Sequence, residues 1–149
     1  MIIKSYSDSG NKDGSGSFWR ADLNLAEEIE ETEECNLDKM PLPATPATSA
    51  IVFDYNGTAR NGSLQGVRTN GELNNGVSMT NADWILLIRG KLAGNQNVIG
   101  PFRLTKATDV AGYIPQETVY IYINRFKWAY NRNSVHEITY TIDYFVGDD

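Results

Sequence analysis

The sequence predicts a mainly β protein: an antiparallel β-sandwich or barrel with a long C-terminal hairpin and an acidic N-terminal arm or short helix. Three observations predict it. Residues 135–146 alternate, with His136, Ile138, Tyr140, Ile142, Tyr144 and Val146 on one side and Glu137, Thr139, Thr141 and Asp143 on the other. That is the pattern of an antiparallel strand with one buried face. Residues 117–130 are rich in β-branched and aromatic side chains, and Asn131-Arg132-Asn133-Ser134 between the two segments has turn composition. Asn-Gly pairs at 56, 61, 70 and 75 carry the hairpin-turn signal, because both residues tolerate positive φ.

Taken in chain order, residues 7–17 are a polar Gly/Ser stretch, expected to be mobile in isolation. Leu23, Ala26 and Ile29 share a helical face, so residues 22–34 can make a short helix. The glutamates between 27 and 34 repel one another at helical spacing, so an extended arm is the equal alternative. Pro41, Pro43 and Pro46 make a polyproline-like connector. These features divide the chain into an arm (1–40), a connector (41–49) and a β-sandwich (50–149), a single domain overall.

Residues 50–55 read as a strand, and the Asn-Gly pairs after it as tight turns. Residues 83–89 are an apolar run bounded by Asn81 and Gly90; length and boundaries suit a buried strand, although periodicity does not separate strand from helix here. Residues 98–106 read as another strand, bent or placed at an edge by Gly100-Pro101, and 109–116 as a loop. In the first arm of the hairpin Val119, Ile121 and Ile123 lie on one side, but beyond Asn124 that side becomes charged with Arg125 and Lys127. Either a bulge at Asn124 swaps the faces, or both faces are covered, one of them by a neighbouring subunit. Arms this long exceed the usual ~5–6 residues, so the hairpin is expected to project beyond its own domain.

The 149 residues (16.6 kDa) carry a net charge of −6. Eight acids lie between Asp22 and Asp38 with no Lys or Arg among them; removing these from the 19 acids leaves 11 against 13 Lys and Arg. The acidity is therefore local, and the sequence shows no basic stripe of the kind that grips phosphates. No run of 18 apolar residues is present, so no transmembrane helix and no membrane partner are expected. The start, Met1-Ile2-Ile3-Lys4-Ser5-Tyr6, does not read as a secretory signal, and synthesis in a cytoplasm is expected.

Little chemistry remains. One cysteine (Cys35) and one histidine (His136) exclude a disulfide framework and most zinc or iron sites. Cys35 stands among acids that disfavour its thiolate, and His136 lies on the apolar side of a strand, as a core or interface histidine does. No nucleophile elbow, phosphate loop or zinc-protease motif occurs. The chain is not expected to be an enzyme, and no cofactor or metal is expected. Trp19, Trp84 and Trp128 offer a second reading, a carbohydrate-binding module of an adhesin or tail fibre.

Asp83-Trp84-Ile85, Gly100-Pro101-Phe102-Arg103-Leu104-Thr105 and Glu137-Ile138-Thr139-Tyr140-Thr141-Ile142 together resemble tail proteins of tailed viruses and contractile injection systems, over residues 79–149. The resemblance implies a sandwich or barrel that stacks as rings, commonly sixfold, with long hairpins completing an inner β-wall. It implies a structural subunit of a virion tail, a homo-oligomer that contacts other tail or baseplate proteins and passes nucleic acid or effectors as non-specific cargo. The assembly interface expected from the residues comprises Tyr120, Tyr122, Arg125, Lys127, Trp128, Arg132 and Tyr144. The basic members are expected to meet an acidic surface made of Glu27, Glu28, Glu30, Glu31, Glu33 and Glu34 on a neighbouring copy.

Overall fold

The computed structural model describes residues 1–24, 26–41, 50–92 and 100–147, and side chains within 1–24, 28–35, 59–92 and 100–147. Strands β1 (Ile2–Lys4), β2 (Arg20–Asp22), β3 (Ala26–Pro41) and β4 (Ala50–Thr69) are followed by a small hairpin, β5 (Leu73–Asn74) and β6 (Val77–Ser78). Helix α1 (Asn81–Arg89), β7 (Phe102–Thr105), β8 (Thr118–Asn131) and β9 (Ser134–Val146) complete the chain. Seven strands form one antiparallel sheet in the order β2-β1-β7-β8-β9-β4-β3. The fold is mainly β, and the sheet does not close into a barrel: β2 and β3 remain its two edges.

The C-terminal hairpin forms with the expected alternation. Ile138, Tyr140, Ile142 and Tyr144 are buried, and their odd-numbered neighbours face away. In β8, Val119, Ile121 and Ile123 are buried, then the register with β9 steps from Ile123↔Tyr144 to Arg125↔Asp143. Asn124 is thus the extra residue of a bulge, and the bulge swaps the faces: Phe126 takes over the inward side and packs against the core. His136 is not a core histidine. It lies two residues past the turn, beyond the core, and is exposed.

Residues 83–89 form helix, not strand. Thr80 caps the N-terminus, its side-chain oxygen accepting from the Asp83 N–H at 3.2 Å; Asp83 sits in the first turn and Arg89 in the last. These end signals, with Gly90 closing the C-terminus, decide a segment whose apolar run is ambiguous. Trp84, Ile85 and Ile88 face the sheet and Leu86 is exposed. Trp84 touches Tyr140 and Phe126 with ring centroids 4.9 and 5.9 Å apart.

The Asn-Gly pairs split. Asn70-Gly71 and Asn75-Gly76 make turns, with φ of 89° at Gly71, 52° at Asn75 and 80° at Gly76. Asn56-Gly57 and Asn61-Gly62 lie inside β4 instead. Cys35 pairs with Thr58 and Leu37 with Asp54, so Asn56-Gly57 falls in an irregularity of the long hairpin and turns nothing. Gly62 stands opposite Tyr144, and a side chain there would overlap the tyrosine ring.

The expected N-terminal arm is part of the sheet. Residues 1–40 supply β1, β2 and nearly all of β3, and the acidic run is an edge strand rather than a helix. Residues 7–16 are turns held by Asn11, Asp13 and Ser15; Asp13 accepts from the Ser15 backbone N–H at 2.9 Å. Connector residues 42–49 lie outside the described residues, and the strand expected over 98–106 is described as β7.

Candidate assembly surface

Strands β3, β4, β9 and β8 make a layer with two unlike faces. Inward lie Ile29, Leu64, Ile142 and Phe126, paired in that order across the four strands and packed in or against the core. Outward, the successive pairings read Glu28, Gln65, Thr141, Lys127 in one row and Glu30, Ser63, Asp143, Arg125 in the next. A third row reads Thr32, Asn61, Phe145, Tyr122. None of these outward residues is buried, and among the described residues no element packs over them. This follows from the period of two: one face supplies the apolar contacts of the core and the other is left to water.

The layer is also longer than its neighbours. Strand β9 pairs with β4 only from Asn61 to Thr69, so residues 50–60 of β4 run on with β3 as a two-stranded ribbon. Strand β7 pairs with β8 only from Thr118 to Ile121, followed by a single bridge from Leu92 to Ile123. Beyond Ile123, no described strand lies along that side of β8. Among the described residues the layer therefore ends in two margins with no strand partner, β3 and the distal half of β8.

Glu31 shares the inward side of β3 with Ile29. Glu31 accepts from the Tyr144 hydroxyl at 2.7 Å and pairs with the Lys106 ammonium at 3.1 Å, while Arg60 lies 3.8 Å away and bonds Glu117 at 2.5 Å. Lys106 is 4% exposed, and among the described residues Glu31 is the carboxylate it pairs with. Tyr144 reaches Glu31 across Gly62, where the missing side chain leaves room for its ring. Partial burial pushes the Glu31 carboxyl up, but the Tyr144 hydroxyl, then Lys106 and Arg60, outweigh it and hold it below the usual range. Burial first, and the hydrogen bond to the Glu31 anion second, raise the Tyr144 phenol far above its ordinary value. The cluster joins the β3 edge to the segment after β7, across the curve of the sheet.

The expected interface residues fall into separate places. Arg125 and Lys127 are exposed on the outward face, with Arg125 3.9 Å from Asp143 of the same chain. Arg132 is exposed in the hairpin turn. Trp128 is 37% exposed and stacks on Tyr130, centroids 6.3 Å apart, on the opposite side of β8 from Lys127. Tyr120 and Tyr122 are half-buried; the Tyr120 ring lies 5.3 Å from that of Tyr6. Tyr144 is 1% exposed, its side chain enclosed by its own chain. Of the acids, Glu28, Glu30, Glu33 and Glu34 are exposed on β3, Glu31 turns inward, and the Glu27 side chain lies outside the described residues.

No sequence motif marks Arg68. It is 2% exposed, donates to Asn81 Oδ1 at 2.7 Å and to the carbonyls of Glu72 and Met79 at 3.0 Å, and its guanidinium lies 5.4 Å from the Trp84 ring. Burial lowers its pKa from the ordinary value. Its signal was the alternation Leu64, Gly66, Arg68, which puts an arginine on the buried face.

Of the three tryptophans of the carbohydrate reading, only Trp128 is exposed. Trp84 is fully buried, and Trp19 packs against Phe102 at 4.9 Å and beneath Lys91 at 4.6 Å. Among the described residues no cluster of three His, Cys, Asp or Glu could hold a metal ion, and no helix is long and apolar enough to cross a membrane. No protein-family model matches the chain, and no curated protein matches its sequence.

Proposed function

We propose that the chain is a structural subunit that assembles with copies of itself into rings or filaments, as the tail-tube proteins it resembles do. One observation carries this reading: the four-stranded layer has a core on one face only and continues past its neighbours into two unpaired margins. Exposed strand edges seek partners, and proteins that stay single shorten, bend or cover them. Here β3 runs for 16 residues at the edge of the sheet. The strand count supports the same reading. With four antiparallel strands in the layer, β8 and β3 run in opposite directions, so copies set side by side continue the alternation with no strand reversed.

In such a ring the outward face becomes the wall of a conduit. It carries Glu28, Glu30 and Asp143 beside Arg125 and Lys127, set among Thr, Ser, Gln and Asn. A wall of mixed, water-compatible character without a basic stripe lets nucleic acid pass without gripping its phosphates. A place in a virion tail, with tail or baseplate proteins as further partners, belongs to this proposal.

Size-exclusion chromatography with negative-stain electron microscopy tests it. Rings or tubes are expected at near-physiological salt. A monomer that persists at millimolar concentration overturns the reading.

A further inference from the structure

The two margins of the layer are unlike, and their side chains match in register. The row that begins with Glu28 on β3 ends with Lys127 on β8, and the row that begins with Glu30 ends with Arg125. We propose that the β3 edge and the distal β8 edge are the two halves of one interface between copies of this chain, joined antiparallel and without stagger. Glu28 of one copy then stands opposite Lys127 of the next, and Glu30 opposite Arg125. This rests on the self-assembly reading and adds to it which edges meet and in what register.

Three arguments favour this occupant. Opposite charges face each other directly across the new strand pair, the arrangement that stabilises cross-strand neighbours. The alternatives are penalised: β3 against β3 sets glutamate among glutamates, and β8 against β8 sets arginine and lysine among themselves. The inward faces also match, because the row Ile29, Leu64, Ile142, Phe126 is offset by one residue on β3 from the charged rows and so meets its own counterpart. Exposed ion pairs add little strength, so the charges chiefly select partner and register, and the backbone ladder with the apolar rows holds the copies together.

Charge reversal at one pair tests the register. Glu28→Lys or Lys127→Glu alone is expected to raise the concentration needed for assembly by roughly tenfold or more, and the two together to restore it to within about threefold of the parent. Circular dichroism of each variant checks that the fold is kept. As a second measurement, Glu28→Cys with Lys127→Cys in a Cys35→Ser background is treated with a short bis-maleimide. A ladder of covalent oligomers is expected, with none from either single cysteine. Unchanged assembly in both single reversals, or a missing ladder from assembled protein, overturns this interface while self-assembly stands. A parent chain that stays monomeric overturns both.

Discussion

At the scale of single residues, Gly62 and Tyr144 show why one position matters. The ring lies in the space a Cβ would fill and delivers its hydroxyl to Glu31. Gly62→Ala is expected to cost about 1–3 kcal/mol, as overpacking does, read from the urea midpoint at constant m. Glu31→Gln leaves the buried Lys106 ammonium without its carboxylate. With the Glu31 side chain 27% exposed, the expected cost is about 1–3 kcal/mol at pH 7. The sign with pH follows from the lowered carboxyl. Its stabilisation is present above the ordinary value of 4.5 and is lost as pH falls through the lower folded value. Thermal melts below pH 4.5 should therefore steepen less with acid in Glu31→Gln than in the parent. Tyr144 works the other way: its stabilisation is full below the ordinary value of 10.0 and falls as pH rises above it. Tyr144→Phe should flatten the alkaline limb. None of these roles was legible beforehand. A glutamate within a run of glutamates carries no mark of the one that turns inward, and Asn61-Gly62 reads as a turn until Tyr144 is placed over it.

At the scale of elements, sequence reasoning succeeded where periodicity was long and failed where a segment was short. The alternation of β9 runs over a dozen residues and has one interpretation. The shift of charge at Asn124 left two alternatives, a bulge or a strand covered on both faces, and the register step between Ile123 and Arg125 selects the bulge, which moves Arg125 and Lys127 from the apolar side to the wet side. The run at 83–89 is too short for its apolar pattern to decide, and the capping residues Thr80, Asp83 and Gly90 settle it. Thr80→Ala should destabilise the protein by about 1 kcal/mol in chemical denaturation, with α1 fraying from its first turn. The acidic run was ambiguous for another reason. Repulsion among glutamates weakens a helix, and a strand spreads them over two faces, but only pairing with β4, itself distant in sequence, selects the strand. Arg68 ties the β5–β6 hairpin to the start of α1. Arg68→Met should take one of two donors from each of the carbonyls of Glu72 and Met79, which keep their backbone partners, remove the donor to Asn81 Oδ1, and raise amide exchange there ahead of the sheet.

At the scale of the whole molecule, the sheet and its helix enclose a core on one face of the four-stranded layer, and among the described residues nothing covers the other. The prediction that belongs here is ionic. Raising salt from 0.05 to about 1 M should weaken association measured by light scattering, since screening acts on exposed charges, while far-UV circular dichroism stays constant. If scattering is indifferent to salt, charge does not choose the partner. One consequence follows from the contrast between the margins. A twofold arrangement would bring a margin to face its own kind, so a capped pair is no resting point. In the proposed assembly every incomplete row would instead present one acid-edged end and one base-edged end, each able to accept another copy. Growth would halt only when the last end finds the first, and small open clusters should be scarce beside finished circles.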